Sequence, residues 1–311
     1  MRTPEPSHFT IDLESPFRLD LSVWAMRRRS VNTIDRWDGA SYQRALVLND
    51  DVVALSVSQA MLREGWHLDV DFSGGHFGGE AEEDVRASIE SMLGLRVDLS
   101  GFYRMAAADR LIAGLVAQFI GLRPPRFPTV FEGLINAVAC QQLSLEAGLS
   151  LLNRITATYG KAVSKGETSL RAFPRPDDLV GLESQALRKL GFSLRKGVTI
   201  IELSRAVAAG RLSLDGLDGL ADDEVISQLT SFAGIGRWSA EYVLLRGLGR
   251  LHVFPGDDVS ARNNLARWLG LERPLDHDSV GQVVSRWQPY AGMIYFHLLI
   301  DHMVTTGSVN F

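Results

Sequence analysis

The chain has 311 residues, 46% of them hydrophobic and 22% charged, with 37 acidic against 32 basic side chains and a net charge of −5. That length allows two or three domains with real cores, and the acidic balance excludes a protein that coats nucleic acid through bulk charge. A single cysteine, Cys140, excludes an internal disulfide and fits a reducing compartment.

The N-terminal Met1-Arg2-Thr3-Pro4-Glu5-Pro6 lacks the apolar stretch of a secretory signal. The longest apolar run, Leu111 to Leu122, is interrupted by Gln118 and is too short for a bilayer. A cytoplasmic location with no membrane partner is expected, and a monomer is the default.

From Phe9 to about Val70 the chain reads as strands. Phe17-Arg18-Leu19-Asp20-Leu21 alternates, Tyr42 to Leu48 does so in part, and Val52 to Val57 is a buried apolar run. Asp38-Gly39 and Asn49-Asp50-Asp51 supply hairpin turns. Trp24 to Ser30 reads as a short helix whose basic run, Arg27-Arg28-Arg29, looks like solvated surface. Phe72 to Gly79, rich in glycine, reads as a mobile loop.

After Glu80 the pattern turns helical, first over Glu82 to Leu93 and then over the more apolar Ala106 to Ile120. Further helices are expected over Thr129–Val138, Ser144–Tyr159 (closed by Gly160), Pro176–Leu182, Ser184–Leu190 and Leu194–Ala209. The remaining ones span Asp222–Phe232, Arg237–Leu248, Val259–Leu269, Val280–Trp287 and Ala291–Thr306. The fold class is therefore α+β: an antiparallel α/β domain over residues 1–105, then a helical domain over residues 106–311.

Four features carry chemistry. Phe232-Ala233-Gly234-Ile235-Gly236 makes a tight turn between two helices, so the hairpin spans residues 229–248. Its free N–H groups and the positive end of the following helix suit a phosphate, with Arg237 and Ser239 at the helix start placed to help. Such a turn is also a common plain connection. Asp257-Asp258 delivers carboxylates at the start of the next helix, where Asp258 serves equally well as an N-cap. Gln141-Gln142-Leu143-Ser144 breaks an apolar helix with two amides, while Trp238, Tyr242 and Tyr290 make one aromatic surface if the last helices fold back on the hairpin. The seven histidines show no metal-ligand spacing, and no Walker loop, Cys–His pair or Gly-x-Ser-x-Gly elbow is present.

In order and spacing these segments resemble the helix-hairpin-helix DNA glycosylase superfamily, over roughly Phe127 to Tyr295. Leu190-Gly191-Phe192-Ser193-Leu194-Arg195-Lys196 is similar to the turn before that family's middle helix. Trp238-Ser239-Ala240 and Trp287-Gln288-Pro289-Tyr290 favour its 3-methyladenine-DNA glycosylase II branch, whose TBP-like antiparallel N-terminal domain the first hundred residues resemble. The resemblance implies a base excision repair enzyme that flips a damaged, N-alkylated base out of double-stranded DNA and hydrolyses its glycosidic bond. It makes Asp258 the catalytic carboxylate and Asp257 structural. Gly234, Ile235, Gly236 and Arg237 would grip the DNA backbone with Ser239 nearby, and Trp238, Tyr242 and Tyr290 would line the base pocket. Gln141 and Gln142 would form the helix break and the wedge. No cofactor is implied beyond a monovalent cation, Na or K, on the backbone carbonyls of Thr230, Phe232 and Gly234. The wedge position is apolar in some relatives, the Tyr290 position is Trp in some, and Ala291 stands where an Arg is common. Bifunctional relatives carry a Schiff-base lysine where this chain has Trp238, which favours a monofunctional hydrolase. The alternatives are an enzyme of the same superfamily for 8-oxoguanine or another oxidised or deaminated base, and a helix-hairpin-helix protein that binds DNA without catalysis.

Overall fold

The computed structural model describes residues 7–13, 16–62, 65–75, 81–165, 168–273 and 275–311. Five strands, β1 (Ser7–Asp12), β2 (Arg36–Trp37), β3 (Ser41–Leu48), β4 (Asp51–Leu62) and β5 (Gly65–Ser73), form an antiparallel sheet in the order β1-β5-β4-β3-β2. Tyr42 and Val70 both stand opposite Val57, so the sheet's apolar positions fall in one row. The helices α1 (Leu19–Arg27) and α2 (Ala81–Met92) cover that face, and Val23, Val85 and Ile89 meet Val57 and Val70 in one core. Asn49 and Asp50, both at positive φ, close the β3–β4 hairpin as the turn residues imply.

Several expectations change here. The alternating Phe17-to-Leu21 stretch is not a strand, because α1 begins at Leu19. Its Leu19 and Val23 face the sheet core while Leu21 and Ala25 face the C-terminal helices. A helix buried on two sides loses the single apolar stripe that would identify it. Phe72 and Ser73 belong to β5, not to a loop, and residues 76–79 of that loop lie outside the described residues.

The helix expected over Ala106–Ile120 is two helices, α3 (Ser100–Ala108) and α4 (Ala113–Gln118). Asp109 breaks the run, accepting the Leu111 N–H at 2.9 Å and the Trp287 indole N–H at 3.0 Å. Position 105 falls inside α3, whose buried Phe102 packs with the C-terminal helices, so the core of the sheet ends near Leu95.

Two helical layers follow. In the first, α5 (Val130–Cys140), α6 (Leu145–Tyr159), α9 (Leu194–Ala208), α10 (Asp222–Thr230) and α11 (Arg237–Arg246) share a core, flanked by the short α7 (Pro176–Leu179) and α8 (Ser184–Lys189). In the second, α12 (Val259–Trp268), α13 (His277–Val284) and α14 (Ala291–Thr305) pack with α3, α4 and α1. Thr129, Ser144, Ser193, Asp258 and Asp276 cap their helices through side-chain oxygens. A two-stranded ribbon, β6 (Ala162–Lys165) and β7 (Thr168–Arg171), interrupts the helical half and rests on the sheet through Leu170 against Ala45 and Ala54. Gly160 does end α6, though not in a left-handed cap: its φ is −71°, and a Cβ there would stand 2.1 Å from the Ala172 carbonyl oxygen. Among the described residues no helix is long and apolar enough to cross a membrane.

The sheet and the helices are locked by a buried ionic group. Arg44 on β3 is fully buried, donating to Asp35 at 2.6 Å and to Glu132 on α5. Tyr42 and Asn32 complete the Asp35 shell at 2.8 and 3.1 Å. Burial works to raise the Asp35 carboxyl, but Arg44, Tyr42 and Asn32 hold it below the usual carboxylate range. Because its folded pKa lies below the unfolded one, ionised Asp35 adds stability that is complete above the unfolded pKa. That stability is lost as the pH falls through the folded value. Replacing Arg44 by Leu would strand two buried carboxylates, and a loss of about 3–5 kcal/mol is expected in urea unfolding at pH 7. An unchanged midpoint would contradict this role.

Candidate active site

The turn between α10 and α11 is shaped from outside. Gly234 has φ +93°, and a Cβ there would lie 2.2 Å from the Thr199 hydroxyl of α9. That hydroxyl donates to the Ala233 carbonyl at 2.8 Å, and Ile235 is buried, so the turn is pinned at both sides. Gly236 has open space around it and is the N-cap of α11 with no side chain to supply a cap. Among the described residues the N–H groups of Gly236, Arg237 and Trp238 have no intramolecular partner. The positive end of α11 is therefore open. Arg237 is 60% exposed there and shares one N–H with Glu241 at 2.8 Å.

The broken end of α5 holds the turn in place. Gln141 donates through its amide nitrogen to the Gly234 carbonyl and to the Ser239 hydroxyl, each at 2.9 Å. Lys196, on the first turn of α9, donates to the carbonyls of Ala139 and Gln141 at 2.8 and 2.7 Å. Burial lowers its ammonium. Gln141 is thus a clip between helices. Ser239 is fully buried and its hydroxyl faces Gln141, so it offers no side chain to a phosphate, contrary to the expectation from its place at the helix start. Gln142 is exposed at the crest of the turn, in a left-handed conformation with φ +52°, before Ser144 caps α6.

Asp258 caps α12 with one oxygen. Its Oδ1 accepts from the N–H groups of Ser260 at 2.8 Å and Ala261 at 3.1 Å. Among the described residues Oδ2 accepts nothing. The carboxylate borders a cleft of about 1020 Å³ between the two helical layers, which Asp257, Trp238, Tyr242, Tyr295 and Gln142 also line. Trp238 and Tyr242 lie with ring centroids 5.7 Å apart at 36°, and among the described residues the buried Trp238 indole N–H has no partner. Burial, and after it the charge of Asp258, push the Tyr295 hydroxyl far up, so it stays neutral. Burial likewise raises Tyr242, against the opposing pull of Arg246 and Arg28.

Two placements differ from expectation. Tyr290 does not line the cleft. It precedes α14, with its ring 5.8 Å from Phe102 and its hydroxyl against Gly101 of α3. Tyr295, within α14, takes the wall position, edge-on to Phe254 at 5.9 Å. A tyrosine inside the apolar run Met293 to Leu298 was the available signal, because a buried hydroxyl needs an opening or a partner. The second is Arg28. The basic run suggests solvated surface, yet Arg28 is 6% exposed, lines the cleft, and donates to the Tyr242 hydroxyl at 3.0 Å and to Asn136 at 2.7 Å. Nothing local marks it apart from Arg27 and Arg29.

The carbonyls of Thr230, Phe232 and Gly234, expected to hold a cation, lie at the end of α10 and in the turn that follows it. Thr230 and Phe232 lie at the C-terminal end of α10, where a helix presents unpaired carbonyls, and the Phe232 oxygen accepts from Ile235 at 3.0 Å. The Gly234 oxygen accepts from the Gln141 amide and keeps a second lone pair. Among the described residues no group of three or more His, Cys, Asp or Glu side chains is placed to hold a metal ion.

Comparison with known proteins gives the family. A family model described as "HhH-GPD superfamily base excision DNA repair protein" matches residues 135–289. DNA-3-methyladenine glycosylase 1 of Schizosaccharomyces pombe is 34% identical over 182 residues, which cover 58% of this chain and 75% of that protein. A Bacillus subtilis relative is 31% identical over 170 residues, and the chain spans 58% of that relative's length. Among solved structures, the 3-methyladenine DNA-glycosylase of Archaeoglobus fulgidus superposes with a TM-score of 0.83 at 27% identity, covering 94% of this chain and 97% of the other. The match extends beyond the hairpin to the N-terminal sheet, and with the fission-yeast relative covered over three quarters of its length the chain belongs to the HhH-GPD superfamily of base excision DNA repair proteins.

Proposed function

We propose that this chain is a monofunctional DNA glycosylase that hydrolyses the bond between deoxyribose and an N-alkylated base, with Asp258 as the catalytic carboxylate. The observation that carries this reading is the half-satisfied Asp258: one oxygen is fixed by two backbone N–H groups, and the other is left for the cleft. The names of the fission-yeast and archaeal relatives as 3-methyladenine glycosylases support the choice of an alkylated base.

The damaged nucleotide is flipped from the stack into the aromatic cleft, at a cost of a few kcal/mol. Trp238 and Tyr242 attract a base that alkylation has made cationic, by about 0.5–2 kcal/mol of cation–π contact. As the glycosidic bond lengthens, positive charge builds on the sugar, and Asp258 stabilises it and receives the proton of the attacking water. The base leaves neutral, so no strong general acid is required. The open N-terminus of α11 and Arg237 hold the neighbouring phosphate, while Gln142, exposed on the broken helix, fills the space that the base vacates. A monovalent cation at the Thr230, Phe232 and Gly234 carbonyls would add positive charge beside that phosphate. We further read the protein as a monomer acting on DNA in the cytoplasm. With Trp238 where a lyase would carry its lysine, strand cleavage is not part of the reaction.

Two measurements test this reading. Wild type should release bases from methylated duplex DNA, and strand breaks should appear only after alkali. Asp258→Asn should release them on the order of 10²–10³ times more slowly. Equal release by both would remove Asp258 from the mechanism. Arg237→Ala should weaken DNA binding at all sequences and lower the slope of log affinity against log salt by about 1. An unchanged slope would place Arg237 away from the phosphates.

A further inference from the structure

Arg28 sits in a costly place. It ends α1 at φ +64°, ψ −33°, a backbone region that residues other than glycine seldom adopt, so the surrounding structure must hold it there. Its guanidinium is buried, and among the described residues it pairs with no carboxylate. Of five N–H donors, one goes to the Tyr242 hydroxyl and one to Asn136, while the Nε donor has no partner. Burial opposes that charge, and the carboxylates of Asp35 and Glu132 act on it only through space, with no hydrogen bond between them. Its neighbours are spent elsewhere: Arg27 donates to the carbonyls of Ser30 and Trp37, and Arg29 to the Arg28 carbonyl. Arg28 alone of the three reaches the cleft that Asp258 borders.

We propose that Arg28 is a specificity-determining residue, a fixed donor to the acceptor edge of the flipped base that favours damaged bases which are neutral over those already cationic. The proposal rests on the glycosylase reading and concerns the same cleft. When the C1′–N bond breaks, both bonding electrons leave with the base. A cationic base departs neutral. A neutral base departs as an anion, and a guanidinium on its carbonyl oxygen or ring nitrogen stabilises that charge as it forms. Water's oxygen bonds to C1′, its proton passes to Asp258 and on to solvent, and the departing anion takes a proton from solvent. The same guanidinium repels a base that arrives charged. Asp258 serves both classes because the sugar becomes cationic in each, whereas Arg28 separates them.

The test uses two duplexes, one carrying hypoxanthine as the neutral base and one carrying 7-methylguanine as the cationic base, with single-turnover rates for the full-length protein. In Arg28→Met the ratio of neutral to cationic excision should fall by about tenfold to a hundredfold, the worth of one hydrogen bond to a charged group. Arg28→Lys, which keeps the charge but not the planar fork, should fall between. Arg29→Met, which removes the neighbouring arginine that does not line the cleft, should leave the ratio within about threefold of wild type. Equal losses on both duplexes, or the same shift in Arg29→Met, would overturn the proposal. Thermal unfolding and binding to an abasic duplex report whether each variant folds, and the Lys variant carries the test if Met does not. Wild type releasing only 7-methylguanine would overturn the proposal while leaving the glycosylase reading intact. Release of neither base would overturn that reading as well.

Discussion

Helix α5 is buried from Phe131 to Ala139, yet its length carries Glu132 and Asn136 and it ends at Gln141, and each of these polar groups must find a partner away from water. Glu132 meets Arg44 of the sheet, Asn136 meets Arg28 and Tyr242, and Gln141 meets the hairpin backbone. The spacing of four and five residues sets these partners along one helix, from the sheet at one end to the turn at the other. The N-terminal sheet, the wall of the cleft and the turn are thereby referred to a single rod. Lys196 closes the rod's far end by taking up two of its last carbonyls.

The cleft lies between two helix N-termini that have been treated in opposite ways. At α12 the cap is filled by the side chain of Asp258, which binds two N–H groups and keeps one oxygen spare. At α11 the cap position is Gly236, which fills nothing. The same positive helix end thus fixes a carboxylate in one case and is left for an external anion in the other. Behind the aromatic wall, Arg246 lies over the rings of Phe127, Tyr242 and Phe296 at 5.3–5.6 Å. Together with Arg28 it surrounds Tyr242 with positive charge, while Asp258 faces it from the cleft. The field across the cleft is therefore built by a few buried groups, which is how a chain with net negative charge can present an anion-binding face.

Local signals were the legible ones. Thr129, Ser144 and Ser193 announce their helices because capping involves only the next three residues, and the glycine turn and the Asp pair were readable for the same reason. Misreadings arose where burial came from two directions or from a distant partner. The first turn of α1 looks like a strand because both faces of the helix are covered, while its second half, from Trp24, reads as helix. Ser239 looks available to a phosphate until Gln141, 98 residues away in sequence, is seen to engage it.

What this sequence determined by itself is the order of its helices from α5 onward, the turn at Gly234 to Gly236 and the carboxylate at the mouth of α12, since each depends on backbone groups within a few positions. Tertiary structure alone decided which aromatic walls the cleft, Tyr295 and not Tyr290, and which of three adjacent arginines enters it. Those choices depend on how two helical layers and a sheet close upon one another. Arg28 and Tyr242 stand 214 residues apart, and no pattern within either segment encodes the 3.0 Å between them.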